Sequence, residues 1–112
     1  MKHARYSQSE EADDVFLCLS DARRRRLIQY LGEAETPVEI ETAAHRLQKS
    51  GRGTSRTDDE SSRQEIVLSL WHHHLPKLAN ADIVTLDTDK KTIQKGDRFT
   101  MAHSYLEGMS RG

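Results

Sequence analysis

Apolar positions along this chain recur first at helical spacing and then at strand spacing, and the change falls within one stretch, Ile66 to Ile93. Leu68, Trp71, Leu75 and Leu78 are separated by three, four and three residues. That spacing lines side chains along one helical face, so it predicts a helix over Glu60 to Ala81 with these four toward the core. Ile83, Val84 and Leu86 then form a short β-branched run, followed by the polar Asp87-Thr88-Asp89-Lys90-Lys91 and by Thr92-Ile93. This reads as a two-stranded hairpin over Thr85 to Lys95.

The rest of the chain supplies supporting elements. Ser9 is the expected N-cap of a first helix, with Glu10, Glu11, Asp13 and Asp14 at its positive end and Val15, Phe16 and Leu19 as its apolar face. Ser20-Asp21 restarts the helix over Ala22 to Gly32, with Leu27, Ile28 and Leu31 inward and Gly32 as the stop. Thr36 to Ile40 is extended, because the residue before Pro37 disfavours the helical region. Glu41 to Lys49 is a short helix on Ala43, Ala44 and Leu47. Ser50 to Asp59 is a polar loop, and Asp58 or Asp59 caps the long helix. Pro76 predicts a kink near His72 to His74, since it lacks an N–H and crowds the carbonyl four residues back. Asp97 caps a last helix from Arg98 to Glu107 on Phe99, Ala102, Tyr105 and Leu106. One domain over 10–107 is expected, with flexible ends at 1–9 and 108–112. The class is mainly α with a small β-hairpin, α+β. The order helix, helix, strand, helix, helix, hairpin, helix is that of a winged helix-turn-helix, in which the early strand can join the hairpin.

Composition narrows the classes. Hydrophobic residues make up 35% and charged residues 31%, with a formal net charge of -1. A balanced chain has no global pull on nucleic acid, so any DNA-binding face must come from local clustering. The lone Cys18 excludes an internal disulfide and fits a reducing compartment, and no apolar run approaches the ~20 residues of a membrane span. The start of the chain lacks the apolar core of a signal peptide, which points to the cytoplasm. No nucleophile elbow, phosphate loop or zinc-hydrolase motif is present, so no enzyme and no cofactor is expected. His72, His73 and His74 diverge around a helix instead of sharing the face that a metal pair needs, so no metal site is expected either. His74 is expected beside the core, His72 and His73 in solvent, and Cys18 as a small buried residue.

Two blocks resemble a known family. Leu19-Ser20-Asp21-Ala22-Arg23-Arg24-Arg25-Arg26-Leu27-Ile28-Gln29-Tyr30-Leu31 is similar to the opening helix of haloarchaeal winged helix-turn-helix proteins described as transcriptional regulators. Leu70-Trp71-His72-His73-His74-Leu75-Pro76-Lys77-Leu78-Ala79-Asn80-Ala81-Asp82-Ile83-Val84 resembles the second signature of that family. The resemblance implies a winged-helix form, a built-in kink at Pro76, and either DNA binding or a protein-interaction role on the same fold. It also implies a glycine where this chain has Asp82, a position where glycine ends a helix in the left-handed conformation and aspartate does so at some cost.

The expected partner is double-stranded DNA, with the Glu60 to Ala81 helix in the major groove and the hairpin on the backbone. Opposite the expected core stripe, the residues placed to meet DNA are Arg63, Ser69, His72, His73 and Lys77, joined by Lys90 and Lys91 at the hairpin tip. Lys95, Arg52 and Arg56 are further candidates. Arg23 to Arg26 point in four directions about 100° apart. At most two share a face, one packs its stem on the core, and the rest either pair with acidic neighbours or meet phosphates. The apolar faces of the terminal helices (Val15, Phe16 and Leu19 with Phe99, Tyr105 and Leu106) exceed the need of a small core, which predicts a homodimer through those helices.

Overall fold

Asp21 shows how closely local chemistry sets the elements. Its carboxylate accepts from the N–H of Arg23 at 2.8 Å and of Arg24 at 3.2 Å, and a helix starts there as the Ser20-Asp21 restart predicts. The computed structural model describes residues 14–50 and 60–111. The Ser9 cap, the Asp58 or Asp59 cap, Arg52 and Arg56 lie outside the described residues. Within them the order is α1 (14–18), α2 (Ala22–Glu33), β1 (Val38–Glu39), α3 (Ile40–Ser50), α4 (Glu60–Ser69), a π-helical turn (Leu70–His74), α5 (Leu75–Asn80), β2 (Val84–Asp87), β3 (Thr92–Lys95) and α6 (Phe99–Arg111). The chain is mainly helical with one antiparallel sheet of order β1-β3-β2. The early strand joins the hairpin, pairing Val38 with Ile93 and Glu39 with Thr92.

Two ends differ from expectation. α2 runs past Gly32 to Glu33, so Gly32 is not its stop. A Cβ there would overlap the His103 ring of α6, so this glycine permits a close approach of two helices. α6 continues to Arg111 instead of ending at Glu107.

The long helix departs most. Leu68 is 56% exposed, whereas Ile66, Leu70, His74 and Leu78 are buried and Trp71 sits half-buried at the margin. The core stripe is therefore Ile66-Leu70-His74-Leu78, with Leu75 and Ala81 beside it. Leu68 stands two residues from both Ile66 and Leu70, about 200° around the helix from each, and so faces outward. A step of four residues overshoots a full α-helical turn by about 40°, so a stripe of such steps would drift off the core in a regular helix. The wide turn at Leu70–His74 absorbs the drift, with the Leu75 N–H donating to the Leu70 carbonyl five residues back. It falls where the kink is expected. A widened turn lets a helix pass Pro76, which supplies no N–H and crowds the carbonyl of His72.

The helix ends in a tight lock on the hairpin. Asp82 has φ 62°, the left-handed value that glycine adopts most easily. Its N–H donates to Ala79 at 3.0 Å and the Ile83 N–H to Leu78 at 2.9 Å, a Schellman ending with Ile83 and Leu78 both buried. Arg98 holds Asp82 twice, from its N–H to the carbonyl at 2.8 Å and from Nη1 to Oδ2 at 2.9 Å. Gly96 donates to the Ile83 carbonyl at 2.8 Å, and a Cβ on it would lie 2.5 Å from the Asp82 carbonyl oxygen. Only glycine fits between helix end and strand at this spacing. The lock sets the angle between α5 and the β2–β3 hairpin.

Candidate nucleic-acid interface

Phasing on Ile66 and Leu70 decides which side chains α4 and α5 present to solvent. Gln64, Glu65, Leu68, His72, His73, Pro76 and Lys77 are exposed. Two expected members move off this face. Arg63 is half-buried on the flank toward α3, with Nη1 3.3 Å from Nδ1 of His45. Ser69 is also half-buried, and its hydroxyl accepts from Arg23 Nη1 at 3.2 Å. The physical reason is the core phase: a face drawn opposite Leu68 and Trp71 is rotated from one drawn opposite Ile66 and Leu70. Gln64 and Leu68 take the vacated places, and the unbroken four-residue spacing Ile66-Leu70-His74-Leu78 is the signal in the sequence that points to them.

The hairpin forms a second exposed set. Asp87 pairs with Thr92, and its carboxylate accepts from the N–H groups of Asp89 and Lys90, each at 3.0 Å. Lys91 completes the turn at φ 58°, and its carbonyl accepts from the Ile40 N–H at 3.0 Å, tying the tip to the start of α3. Lys90 and Lys91 are both exposed. Lys95 instead lies over the Phe99 ring at 5.4 Å. Asp87 and Asp89 temper the charge of the tip, although the Asp87 carboxylate is engaged by backbone.

Behind this surface lies a buried polar knot that sequence reasoning did not foresee. Arg24 is only 7% exposed. Its Nε donates to the Cys18 carbonyl at 2.8 Å, its Nη2 to Leu17 at 3.4 Å, and its Nη1 lies 3.2 Å from His74 Nδ1. Arg25 Nη1 donates to the Leu19 carbonyl at 2.7 Å. The arginine run thus closes the C-terminal end of α1, where carbonyls lack helical partners. Three of the four run residues are engaged this way or with Ser69, while the buried Arg26 Nε has no partner among the described residues.

His74 Nδ1 lies 3.9 Å from Asp21 as well, close enough for an ion pair if the ring were charged. Arg24 is nearer and can only donate, so Nδ1 acts as acceptor and the ring is neutral. Burial pushes the imidazole pKa down, the Asp21 carboxylate resists, and Arg24, Arg23 and His73 add to the burial effect. Asp21 is depressed too: burial opposes its ionisation but is outweighed by the Arg24 N–H, His74, the Arg23 N–H and the Arg24 charge. For the thiol of Cys18, burial dominates and raises the pKa, and the S–H donates to the Lys77 carbonyl at 3.5 Å. This is the inert, packed cysteine expected from its apolar surroundings.

A pH dependence follows. The folded chain resists protonating His74 where the unfolded chain accepts the proton, so stability is full above the ordinary histidine pKa and falls as pH drops below it. The Asp21 contribution is lost only lower, through the carboxylate range. Urea midpoints at about pH 7.5 and about pH 5.5 should show the wild type weaker at the lower value. His74→Asn should narrow that difference, and an unchanged difference would remove His74 as its source.

The profile of a domain of unknown function, DUF7344, matches residues 16–94, from α1 through β3. The chain belongs to this family. No curated protein and no solved structure matches it. The exposed faces of α4 and α5, the hairpin tip and the Arg24 knot all fall inside the family span, and α6 falls outside it. No described helix is long and apolar enough to cross a membrane.

Proposed function

We propose that this chain is a winged helix-turn-helix DNA-binding protein acting as a transcriptional regulator in the cytoplasm. α4 and α5 are the reading helix and the β2–β3 hairpin is the wing. The supporting observation is that His72, His73 and Lys77 on the helix and Lys90 and Lys91 at the tip of the locked hairpin that follows it are all exposed. The sheet order β1-β3-β2, with α3 packed on α4, agrees with such a domain, in which the second helix of the pair turns one face to the core and the other to solvent. Lysines of this kind meet phosphates, and the helix face meets base edges.

The test is fluorescence anisotropy with labelled duplex DNA across a salt series. The comparison is a variant carrying His73→Ala, Lys77→Ala, Lys90→Ala and Lys91→Ala. Wild-type affinity should fall steeply with salt, and the variant should bind more weakly with a slope smaller by about 3, close to one for each lysine removed. A folded wild type that binds no duplex at low salt sinks the reading.

The rival role, a protein-interaction module on the same fold, draws on the apolar side chains left in solvent at Phe16, Leu17 and Met109. Loss of affinity with salt separates the two, since an apolar interface changes little. The homodimer belongs to the proposal in a narrower form than the sequence suggests. Val15, Leu19, Phe99 and Leu106 are buried within one chain, so they are not surplus. What remains is Phe16, stacked on Tyr105 at 4.6 Å, with Leu17 and Met109.

A further inference from the structure

Leu68 is more than half exposed on a helix face whose other members, Pro76 aside, are polar or charged. One turn before it stands Gln64, exposed, with no hydrogen bond from its amide to any described residue. One turn after it stands exposed His72. Residues four apart are neighbours on a helix, so the Gln64 amide and the Leu68 isobutyl group form one small surface, polar at one end and apolar at the other. Burying Leu68 in the core is prevented by the Ile66-Leu70 phase, so its apolar surface stays available to a ligand.

We propose that Gln64 and Leu68 read adenine·thymine base pairs in the major groove. This rests on the DNA-binding reading above and adds to it a base preference and the residues that set it. Adenine presents an acceptor at N7 and a donor at N6, which a glutamine amide matches with its donor and acceptor together. Thymine alone presents a methyl group in that groove, and an aliphatic side chain is its complement. The lysines of the hairpin and Lys77 supply the positive charge that holds a duplex against this face. A minor-groove contact by the hairpin would also favour A·T pairs through groove shape, but it would be blind to the thymine methyl.

The experiment measures binding of the full chain to three duplexes of one length: an A·T-rich one, a G·C-rich one, and the A·T-rich one with every thymine replaced by uracil. Wild type should prefer the A·T-rich duplex by about tenfold and lose a few-fold, about threefold, on uracil replacement. Leu68→Ala should bind the thymine and uracil duplexes equally, and Gln64→Ala should lose preference for A·T over G·C. Both positions are exposed, so circular dichroism should show the variants folded. Equal binding of all three duplexes by wild type overturns the base reading and leaves DNA binding standing. An A·T preference unaffected by uracil and by Leu68→Ala also overturns it, in favour of groove shape. Absence of binding to any duplex overturns both readings.

Discussion

Leu70→Ala is expected to destabilise the fold by about 2–5 kcal/mol, while Leu68→Ala changes stability by about 0.5 kcal/mol or less. The two leucines are two residues apart in sequence and equal in chemistry, so the contrast isolates phase. Leu70 has no exposed surface and lies where α4 passes into the π-helical turn. Truncating it removes buried apolar surface and leaves a cavity beside the wide turn. Leu68 is 56% exposed and has little to lose. Urea unfolding followed by circular dichroism reads both midpoints. Equal losses, or a larger loss at Leu68, would mean that the helix is phased on Leu68 and Trp71 after all, and the exposed face would then revert to Arg63 and Ser69.

Replacing Arg24 is expected to be the costliest change in the arginine run. Arg24→Ala orphans the carbonyl of Cys18 at the end of α1 and removes the donor facing His74 Nδ1, while the Leu17 carbonyl keeps the Ser20 N–H and hydroxyl. An orphaned buried acceptor costs about 1–3 kcal/mol, so a loss on the order of 3 kcal/mol is expected. Arg26→Ala is the matched control. Its Nε has no partner among the described residues, so its removal costs on the order of 1 kcal/mol or less. Arg24→Ala also frees His74 from a neighbouring cation, which should weaken the fall in stability below neutral pH. Arg24 and Arg26 variants with equal midpoints would show that the knot contributes no stability.

How much was legible depended on the range over which the deciding interaction acts. Asp21 capping α2, Asp87 turning the hairpin and the order of elements are near-neighbour matters, settled by a side chain and the backbone within a few residues of it. The left-handed ending at Asp82 came only through the family resemblance, which puts glycine at this position, and the aspartate adopts it all the same. The face of the long helix was not legible from the Leu68-Trp71-Leu75-Leu78 pattern, because that pattern and the Ile66-Leu70-His74-Leu78 pattern both satisfy helical spacing. The choice between them needs the surface onto which the helix packs, and the wide turn that reconciles four-residue steps with that surface. The roles of the arginines were illegible for a related reason. A charged run reads as solvated unless one knows that the end of α1 and His74 fold back onto it from 6 and 50 residues away. Gly32 reads as a helix stop, but a helix brought close by the tertiary fold makes it a contact point, and at Gly96 the end of α5 does the same. By itself the sequence determined the order of the elements and the Asp21 cap of α2, because those rest on contacts local in the chain. Which face of α4 and α5 meets solvent, which charges are buried and how the hairpin is set against the helix were decided by packing between distant segments alone.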